Sequence, residues 1–277
     1  MSVNTVADCL LLALEKIRIN TSSNPKLPPP IIGLSGPQGV GKTTALKTLN
    51  KKTDLRIATL GIDDFYLTKA ERNDLAKNVS PLYRTRGPAG THDIRLIEKT
   101  LNSLLTATAN TRTAFVSFNK VTDERRPKEE WFIFEGRPDV IILEGWLIGA
   151  IAPNDFSSSA PLNEIERSDE GSLWRQYQQH QLNGSYSVLW QSFSACIHIK
   201  GPDFDTIFDW RKEQEANNLQ VNEDNISDKK IQWLKVFVQH YQRLTMAMKK
   251  GSHCHGATIL VDKNRQVIHV DFTNFFI

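Results

Sequence analysis

The sequence predicts an α/β fold, with a mostly parallel sheet covered by helices on both faces. Short apolar runs bounded by turn residues alternate along the chain with segments whose apolar residues recur at helical spacing. That alternation is typical of parallel sheets, because two parallel strands are joined by a crossover that usually contains a helix. A glycine-rich segment also separates one apolar run from the helical segment after it. Ligands of open parallel sheets bind at this kind of position, at the carboxyl ends of the strands.

The first helical segment has apolar residues at positions 3, 6, 10, 13, 14 and 17 and ends near residue 20. Residues 21–30 contain four prolines and two serines, which predicts a linker. The predicted strands cover 31–34, 55–62, 113–118, 140–143, 196–199, 258–261 and 267–270. The other predicted helices cover 42–50, 93–106, 173–181, 203–215 and 231–248, and polar loops cover 153–172 and 217–228.

Length fits one main domain, residues 31–277, preceded by the helix and linker of residues 1–30. We expect a lid or insertion around residues 153–228. With 34 basic and 31 acidic residues the net charge is +3, which argues against nucleic acid as a partner. No apolar run is long enough to cross a membrane, and the N-terminal run lacks the basic leader of a signal peptide. Three cysteines without framework spacing argue against a secreted disulfide scaffold. We therefore expect a cytoplasmic protein without a membrane partner, whose oligomeric state the sequence leaves open.

The glycine-rich segment reads G-P-Q-G-V-G-K-T from Gly36 to Thr43 and fits the pattern G-x-x-x-x-G-K-[ST]. Glycines let successive backbone N–H groups point at phosphate oxygens, and the helix that starts at Lys42 adds the positive end of its dipole. We expect Lys42 to reach the β- and γ-phosphates of ATP, and the Thr43 hydroxyl to hold Mg²⁺. The sequence therefore predicts a three-layer P-loop NTPase fold. The residues expected at the phosphates are Gly36, Gln38, Gly39, Val40, Gly41, Lys42, Thr43 and Thr44.

Three acids follow predicted strands at the same edge of the sheet. Asp63 and Asp64 come after the strand 55–62, and Glu144 follows the strand 140–143. An acid at this edge can accept the proton of a substrate hydroxyl or hold Mg²⁺. Asp64 taken alone is explained as well by the preference of aspartate for turns. Alternation along the chain is expected to point it away from Asp63.

Four segments, in this order, carry a family resemblance. They are the P-loop, G-I-D-D-F-Y-L-T at 61–68, R-G-P-A-G-T-H-D at 86–93 and L-E-G-W at 143–146. Together they resemble the D-glycerate 3-kinases of the plant and fungal type and their yeast kinase-like relative, within the wider group of uridine kinase, phosphoribulokinase and pantothenate kinase. The R-G-x-x-G-T-H-D run is the most specific of these motifs. The resemblance implies an ATP-dependent kinase that converts D-glycerate to 3-phosphoglycerate.

The resemblance also implies roles for matching positions. Asp63 matches the acid taken as the general base, and Glu144 matches the acid on the magnesium side. A W-R-x-x-x-E element at 210–215 supplies Arg211, which is expected near the transferred phosphate on a lid around residues 203–218. The F-N-K run at 118–120 and the D-E-R run at 123–125 resemble the family's F-D-K…D-D-R stretch. There Asn119 removes a charge near the expected acceptor site.

A carboxylate acceptor such as glycerate needs guanidinium or ammonium groups that ATP does not use. A nucleoside acceptor would instead need stacking aromatics, which Tyr66, Tyr83 and Trp146 could supply. A P-loop regulatory switch would hydrolyse ATP slowly and gain little rate from any acceptor. The residues predicted to bind the acceptor are Tyr66, Arg86, His92, Lys120 and Arg125, with Arg84 and Arg126 as further candidates.

Overall fold

The computed structural model describes residues 4–21 and 27–273. The strands are, in chain order, β1 (Ile31–Ser35), β2 (Ile57–Gly61), β3 (Arg112–Phe115), β4 (Phe118–Asn119), β5 (Glu124–Arg125), β6 (Phe132–Glu135), β7 (Val140–Gly145), β8 (Ala195–Lys200), β9 (Ala257–Val261) and β10 (Val267–Asp271). The helices are α1 (Val6–Thr21), α2 (Lys42–Leu49), α3 (Lys69–Asn78), α4 (Ile94–Leu105), α5 (Glu164–Arg167), α6 (Leu173–Gln181), α7 (Ser187–Trp190), α8 (Phe204–Leu219), α9 (Asp228–Gln239) and α10 (Gln242–Lys249).

The central sheet has six strands in the order β10-β9-β8-β1-β7-β2. Strands β2, β7, β1, β8 and β9 run parallel, and β10 pairs antiparallel with β9. The mostly parallel sheet that the alternation of strands and helices predicts is therefore confirmed. Strand β1 lies between two parallel neighbours and is buried along its whole length, which explains its continuous apolar run.

Helices cover both faces of this sheet. Successive residues Ile31 and Ile32 of β1 belong to different hydrophobic clusters, because side chains alternate across a strand. The cluster of Ile31 contains the apolar residues of α4 and α10, and that of Ile32 contains those of α1 and α2. Helix α1 is therefore part of the main core and not a separate N-terminal unit. Of the linker predicted at 21–30, residues 22–26 lie outside the described residues.

Two predicted elements differ from the structure in extent or in place. The predicted strand 113–118 does not enter the central sheet. Strand β3 ends at Phe115 and pairs antiparallel with β6, while β4 forms a second small hairpin with β5. The predicted helix 231–248 is two helices, because α9 ends at Gln239 and α10 begins at Gln242. At the break, the backbone N–H groups of His240 and Tyr241 donate to the carbonyl oxygens three residues earlier, which tightens the chain. The spacing of apolar residues continues across the break, so the sequence pattern predicts a single helix.

The region around 153–228 also differs from the expected insertion. Strand β8 lies inside it and is the direct neighbour of β1 in the central sheet. Helix α5 lies in the predicted loop 153–172, and α8 extends to Leu219 into the predicted loop 217–228. Only the segments on either side of β8 can therefore be peripheral to the sheet. Within residues 4–21 and 27–273, no helix has the length and apolar character that crossing a membrane requires.

Candidate active site

The loop between β1 and α2 has the backbone conformation that phosphate binding needs. Gly39 and Gly41 adopt φ angles of 77° and 95°, and successive residues of opposite hand form an anion-binding nest of N–H groups. Val40 is buried beneath the loop, while Thr43 and Thr44 are exposed on the first turn of α2. This arrangement fits the phosphate-binding role predicted for the loop.

Lys42 lies folded over the same loop. Its Nζ is 2.8 Å from the carbonyl oxygen of Gly36 and 3.4 Å from that of Pro37. Burial lowers the pKa of the Lys42 ammonium, and the charges of Glu144 and Asp63 oppose that shift. The cation therefore stands within electrostatic reach of both acids predicted to act in the site.

Helix α8 packs against this loop through Trp210. A Cβ at Gly39 would lie 2.5 Å from the Cβ of Trp210, so only glycine fits there. The indole of Trp210 donates to the carbonyl oxygen of Lys263 at 2.8 Å. Arg265 stacks on the indole at 5.2 Å from its centroid and donates from Nε to the carbonyl oxygen of Gly39 at 2.7 Å. The segment predicted as a lid thus touches the phosphate loop and is clamped there by the β9–β10 turn.

Arg211 follows Trp210 on α8, but its guanidinium is already engaged. It pairs with Glu215 at 3.2 Å and donates to Oε1 of Gln214 at 2.8 Å. It also stacks over Phe237 of α9 at 5.5 Å from the ring centroid. The structure ties Arg211 to α8 and α9, and its action on the transferred phosphate stays a prediction.

Two carboxylates flank the end of β2. Strand β7 lies between β1 and β2, and its Glu144 is in register with Gly61. A Cβ at Gly61 would lie 3.3 Å from Oδ2 of Asp64 and 3.6 Å from Oε1 of Glu144. Burial raises the pKa of both carboxyls. The hydrogen bond from the Phe118 N–H acts to lower the pKa of Asp64, and the charge of Lys42 acts to lower that of Glu144. The predicted gathering of acids at this edge is therefore present.

Asp63 has different surroundings, because two donors hold its carboxylate. Tyr66 donates its hydroxyl to Oδ1 at 2.5 Å, and Lys120 donates from Nζ to Oδ2 at 2.7 Å. Burial acts to raise the pKa of Asp63, but Lys120 and Tyr66 together lower it below its ordinary range. The side chain remains 41% exposed. Asp63 is thus an ionised acid that a substrate can still reach.

The alternation of side chains along a strand, which was expected to point Asp64 away from Asp63, does not apply here. Both lie in one turn of 3-10 helix, Ile62–Asp64, and not in an extended strand. Asp64 accepts a hydrogen bond from the backbone N–H of Phe118 at 3.1 Å and so anchors the β4–β5 hairpin. The partners of the two carboxylates, and not the direction of the chain, separate their roles.

Tyr66 rests on a buried imidazole. Its ring stacks on His92 with centroids 4.9 Å apart. His92 is 4% exposed, and its Nδ1 bonds the hydroxyl of Tyr186 at 2.7 Å. Burial lowers the pKa of His92 to about 4, although the charge of Asp63 acts to raise it. His92 is therefore neutral at pH 7 and supports Tyr66 from below, while the acceptor contact predicted for it stays a prediction.

The predicted acceptor arginines already hold carboxylates of the protein. Arg86 pairs with Asp123 at 2.5 Å, and Arg125 pairs with Asp93 at 2.9 Å. These pairs tie together the loops that surround Asp63. Among the basic residues predicted to bind the acceptor, Lys120 is the one whose ion pair is with Asp63 itself.

The remaining candidates lie at the rim or inside the core. Arg84 is exposed at the end of a short turn, and Arg126 pairs with Glu130 at 2.6 Å. The rings of Tyr83 and Trp146 are buried, at 0% and 5% exposure. Of the three aromatics considered for stacking a nucleoside, only Tyr66 contacts Asp63.

No family model matches the chain. The Schizosaccharomyces pombe protein named "Uncharacterized kinase mug58" is 28% identical over 280 residues, covering 95% of this chain and 97% of that protein. "D-glycerate 3-kinase, chloroplastic" of Arabidopsis thaliana is 31% identical over 217 residues, covering 74% of this chain but 45% of the plant protein. The solved D-glycerate 3-kinase of Cryptococcus neoformans var. grubii superposes with a TM-score of 0.76 at 26% identity, covering 97% of this chain and 99% of that one. The fold is that of a P-loop kinase. These similarities confirm the family resemblance carried by the sequence motifs.

The residues of this P-loop kinase fold also suit a magnesium ion. Mg²⁺ at nucleotide sites is held by one or two carboxylates together with phosphates and water, without an all-protein cage. Thr43, in the first turn of α2, offers a hydroxyl, and Glu144, near the end of β7 beside β1, offers a carboxylate. Within residues 4–21 and 27–273, no group of three or more His, Cys, Asp or Glu side chains could hold a metal by itself. The donor set therefore fits a metal shared with the nucleotide.

Two residues of the site were not identified from the sequence. Arg265 reaches it from the β9–β10 turn, and Tyr241 reaches it from the break between α9 and α10. Tyr241 lies on the apolar stripe of the predicted helix 231–248, where it looks like any core residue. No local pattern in the sequence distinguishes it.

Proposed function

We propose that the protein is an ATP-dependent, Mg²⁺-dependent kinase that transfers the γ-phosphoryl group to the 3-hydroxyl of D-glycerate. The products are 3-phosphoglycerate and ADP. The names of the Arabidopsis and Cryptococcus relatives support this choice of acceptor. The observation that carries it is the Asp63 carboxylate, which is ionised, partly exposed and held by Lys120 and Tyr66 at the sheet edge that bears the P-loop.

In this proposal Asp63 orients the acceptor hydroxyl and takes its proton. The hydroxyl oxygen forms a bond to the γ-phosphorus as the bond from that phosphorus to the departing ADP oxygen breaks. A low pKa makes Asp63 a weak base, but the loose transition state of phosphoryl transfer asks little of base strength. Position counts for more, and two hydrogen bonds fix the position of this carboxylate.

Cations on the two sides of the reacting group have separate tasks. Lys42 neutralises charge that develops on the phosphoryl oxygens, and Arg211 joins it from the lid. Lys120 binds the carboxylate of glycerate as a second partner beside Asp63, because an ammonium group has three donors. Thr43 and Glu144 would hold Mg²⁺, which would supply positive charge at the phosphates.

Two rival functions predict different responses to an acceptor. A nucleoside kinase would release ADP faster with uridine, and a regulatory switch would release it slowly and equally with every compound. The test measures ADP release by a coupled assay with D-glycerate, L-glycerate, uridine and no acceptor. A rate that rises with D-glycerate alone supports the proposal. Equal rates in all four reactions would favour the switch.

The cytoplasmic location belongs to this proposal as well. The Arabidopsis relative is named chloroplastic, so fractionation of the native protein is the direct check. Recovery in an organelle fraction would contradict a cytoplasmic location and leave the chemistry unaffected.

A further inference from the structure

The side chain of Arg265 contacts the P-loop from a segment 226 residues further along the chain. Its Nε donates to the carbonyl oxygen of Gly39 at 2.7 Å. The peptide bond that joins Gly39 to Val40 is planar and trans, as is every peptide bond among the described residues. In a trans peptide the C=O and the N–H point in opposite directions. The N–H of Val40 is therefore directed away from Arg265 and into the loop.

Inside the loop, the N–H of Val40 and the ammonium of Lys42 face the same oxygen atom. Each donor nitrogen lies 3.4 Å from the carbonyl oxygen of Pro37. This separation is longer than the usual range of about 2.7 to 3.2 Å, so the N–H of Val40 is weakly held. A phosphate oxygen would bind it better, because hydrogen bonds to a charged acceptor are shorter and stronger. The loop thus presents a backbone donor beside Lys42, where phosphate is expected.

The donor group of Arg265 is itself held from two directions. On the side of the β9–β10 turn, the backbone N–H of Arg265 donates to the carbonyl oxygen of Asp262 at 2.9 Å. The residue has φ 63°, a left-handed conformation that residues other than glycine rarely adopt. On the side of α8, its Nη2 pairs with Glu213 at 2.5 Å, and its guanidinium lies over the ring of Trp210. These contacts fix the nitrogen that meets Gly39.

We propose that Arg265 is a positioning residue for the phosphate chain of the nucleotide, because it keeps the N–H of Val40 directed into the P-loop. The side chain of Val40 is 1% exposed, so this residue can meet a ligand only through its backbone. If the peptide between Gly39 and Val40 rotated, it would present a carbonyl oxygen to the phosphates in place of a donor. The bond from Arg265 opposes that rotation. The identity of the nucleotide in this inference rests on the proposed function.

The test compares two ligands that share a phosphate chain. They are a non-hydrolysable ATP analogue and inorganic tripolyphosphate, each titrated with Mg²⁺ by calorimetry. Arg265→Met keeps an apolar chain over Trp210 but has no donor for Gly39. We expect its dissociation constants for both ligands to rise by a similar factor, roughly tenfold or more, which is the usual effect of losing a charged hydrogen bond. Its thermal unfolding without ligand should stay close to that of wild type.

Lys263→Met is the matched control. Lys263 is an exposed cation of the same turn, and its backbone carbonyl, not its side chain, bonds Trp210. This variant should keep the wild-type affinity for both ligands. An equal loss of affinity in Lys263→Met would overturn the inference in favour of the general charge of the turn. A loss confined to the ATP analogue in Arg265→Met would overturn it too, because Arg265 would then act on the nucleoside. Unchanged affinities in Arg265→Met would leave Arg265 no role in phosphate binding.

Steady-state kinetics separates this inference from the proposed acceptor. In Arg265→Met the KM for ATP should rise, while the KM for D-glycerate should stay close to that of wild type. A similar rise in both constants would contradict a role confined to the phosphate chain. Wild type that binds tripolyphosphate in an Arg265-dependent way but ignores D-glycerate would defeat the proposed acceptor and leave the role of Arg265 in place.

Discussion

The nucleotide side and the acceptor side of this site are built in different ways. The P-loop is a single run of nine residues, 36–44, whose function resides mostly in its backbone and in Lys42. The acceptor side is assembled from four separate segments around Asp63, Arg86, Lys120 and Tyr241. Its parts are held together by ion pairs and hydrogen bonds between side chains that are far apart in the chain.

This difference decides what each side can tolerate. A nest of backbone N–H groups binds the phosphate chain of any nucleoside triphosphate, because its donors contact phosphate oxygens and no other part of the ligand. A site made of side chains is complementary to the shape and charge of one acceptor, so a single substitution can change its specificity. Changes in the P-loop should therefore abolish every reaction, whereas changes on the acceptor side should act on one acceptor.

The largest effect is expected from Lys42→Ala. Without the ammonium, phosphoryl transfer should fall below detection with every acceptor, while the fold persists. ATP and Mg²⁺ should stabilise the wild type by about 2.7 kcal/mol at a hundredfold excess over the dissociation constant, and the variant by much less. Thermal unfolding with and without ligand measures this. Lys47→Ala, an exposed lysine on the same helix, is the matched control, and an equal loss in that variant would refute a specific role for Lys42.

The next largest effect is expected from Arg211→Ala. If Arg211 leaves Glu215 to meet the transferring phosphate, kcat should fall by roughly 10³-fold or more, as for other arginine fingers. The affinity for ATP should change little. Lys212→Ala on the same helix, whose lysine pairs with Glu223 at 3.7 Å, serves as the control. A kcat within about tenfold of wild type, under 1.4 kcal/mol, would assign Arg211 to helix pairing alone.

Asp63→Asn and Asp64→Asn test the choice between adjacent acids. Loss of a general base costs roughly 10²- to 10⁴-fold, so Asp63→Asn should lower glycerate-dependent ADP release to that extent and keep ATP binding. Asp64→Asn should lower it less, because Asp64 accepts a backbone hydrogen bond that an amide oxygen can also accept. Steady-state kinetics on both variants decide the matter. A larger defect at Asp64 would show that the two roles are reversed.

The smallest effect is expected from Lys120→Met, which should raise KM for D-glycerate roughly tenfold or more through loss of a charged hydrogen bond. It should also move the pH profile. Lys120 lowers the pKa of Asp63, and burial raises it, so removal of the ammonium leaves burial opposed only by the lesser effects of Tyr66 and His92. The pKa then rises, and the acid limb of kcat/KM should shift to higher pH. Lys128→Met, on an exposed turn nearby, should change neither quantity.

The same contrast explains what the sequence could predict. The P-loop lies within one short segment between a strand and a helix, and local patterns therefore located it along with the parallel sheet. Asp63 and Glu144 were placed at one sheet edge because strand ends are also local features. The pairing of Arg86 with Asp123 and of Arg125 with Asp93 was not foreseen, because a sequence gives the charge of an arginine but not its partner.

The break between α9 and α10 was missed for a related reason. Trp233, Phe237 and Tyr241 keep helical spacing across it, so the periodicity continues although the helix does not. The turn reorients Tyr241 towards Arg86, and that contact exists only in the folded chain. Long-range contacts of this kind set the acceptor side of the site.

The central claim is that phosphate passes from ATP to the 3-hydroxyl of D-glycerate at Asp63. Phosphorus-31 NMR of a reaction containing ATP, Mg²⁺ and D-glycerate identifies the product directly. We expect the resonance of 3-phosphoglycerate to grow with that of ADP in wild type and to be nearly absent with Asp63→Asn. Growth of inorganic phosphate in place of a phosphate ester, at a rate unchanged by Asp63→Asn, would contradict the account.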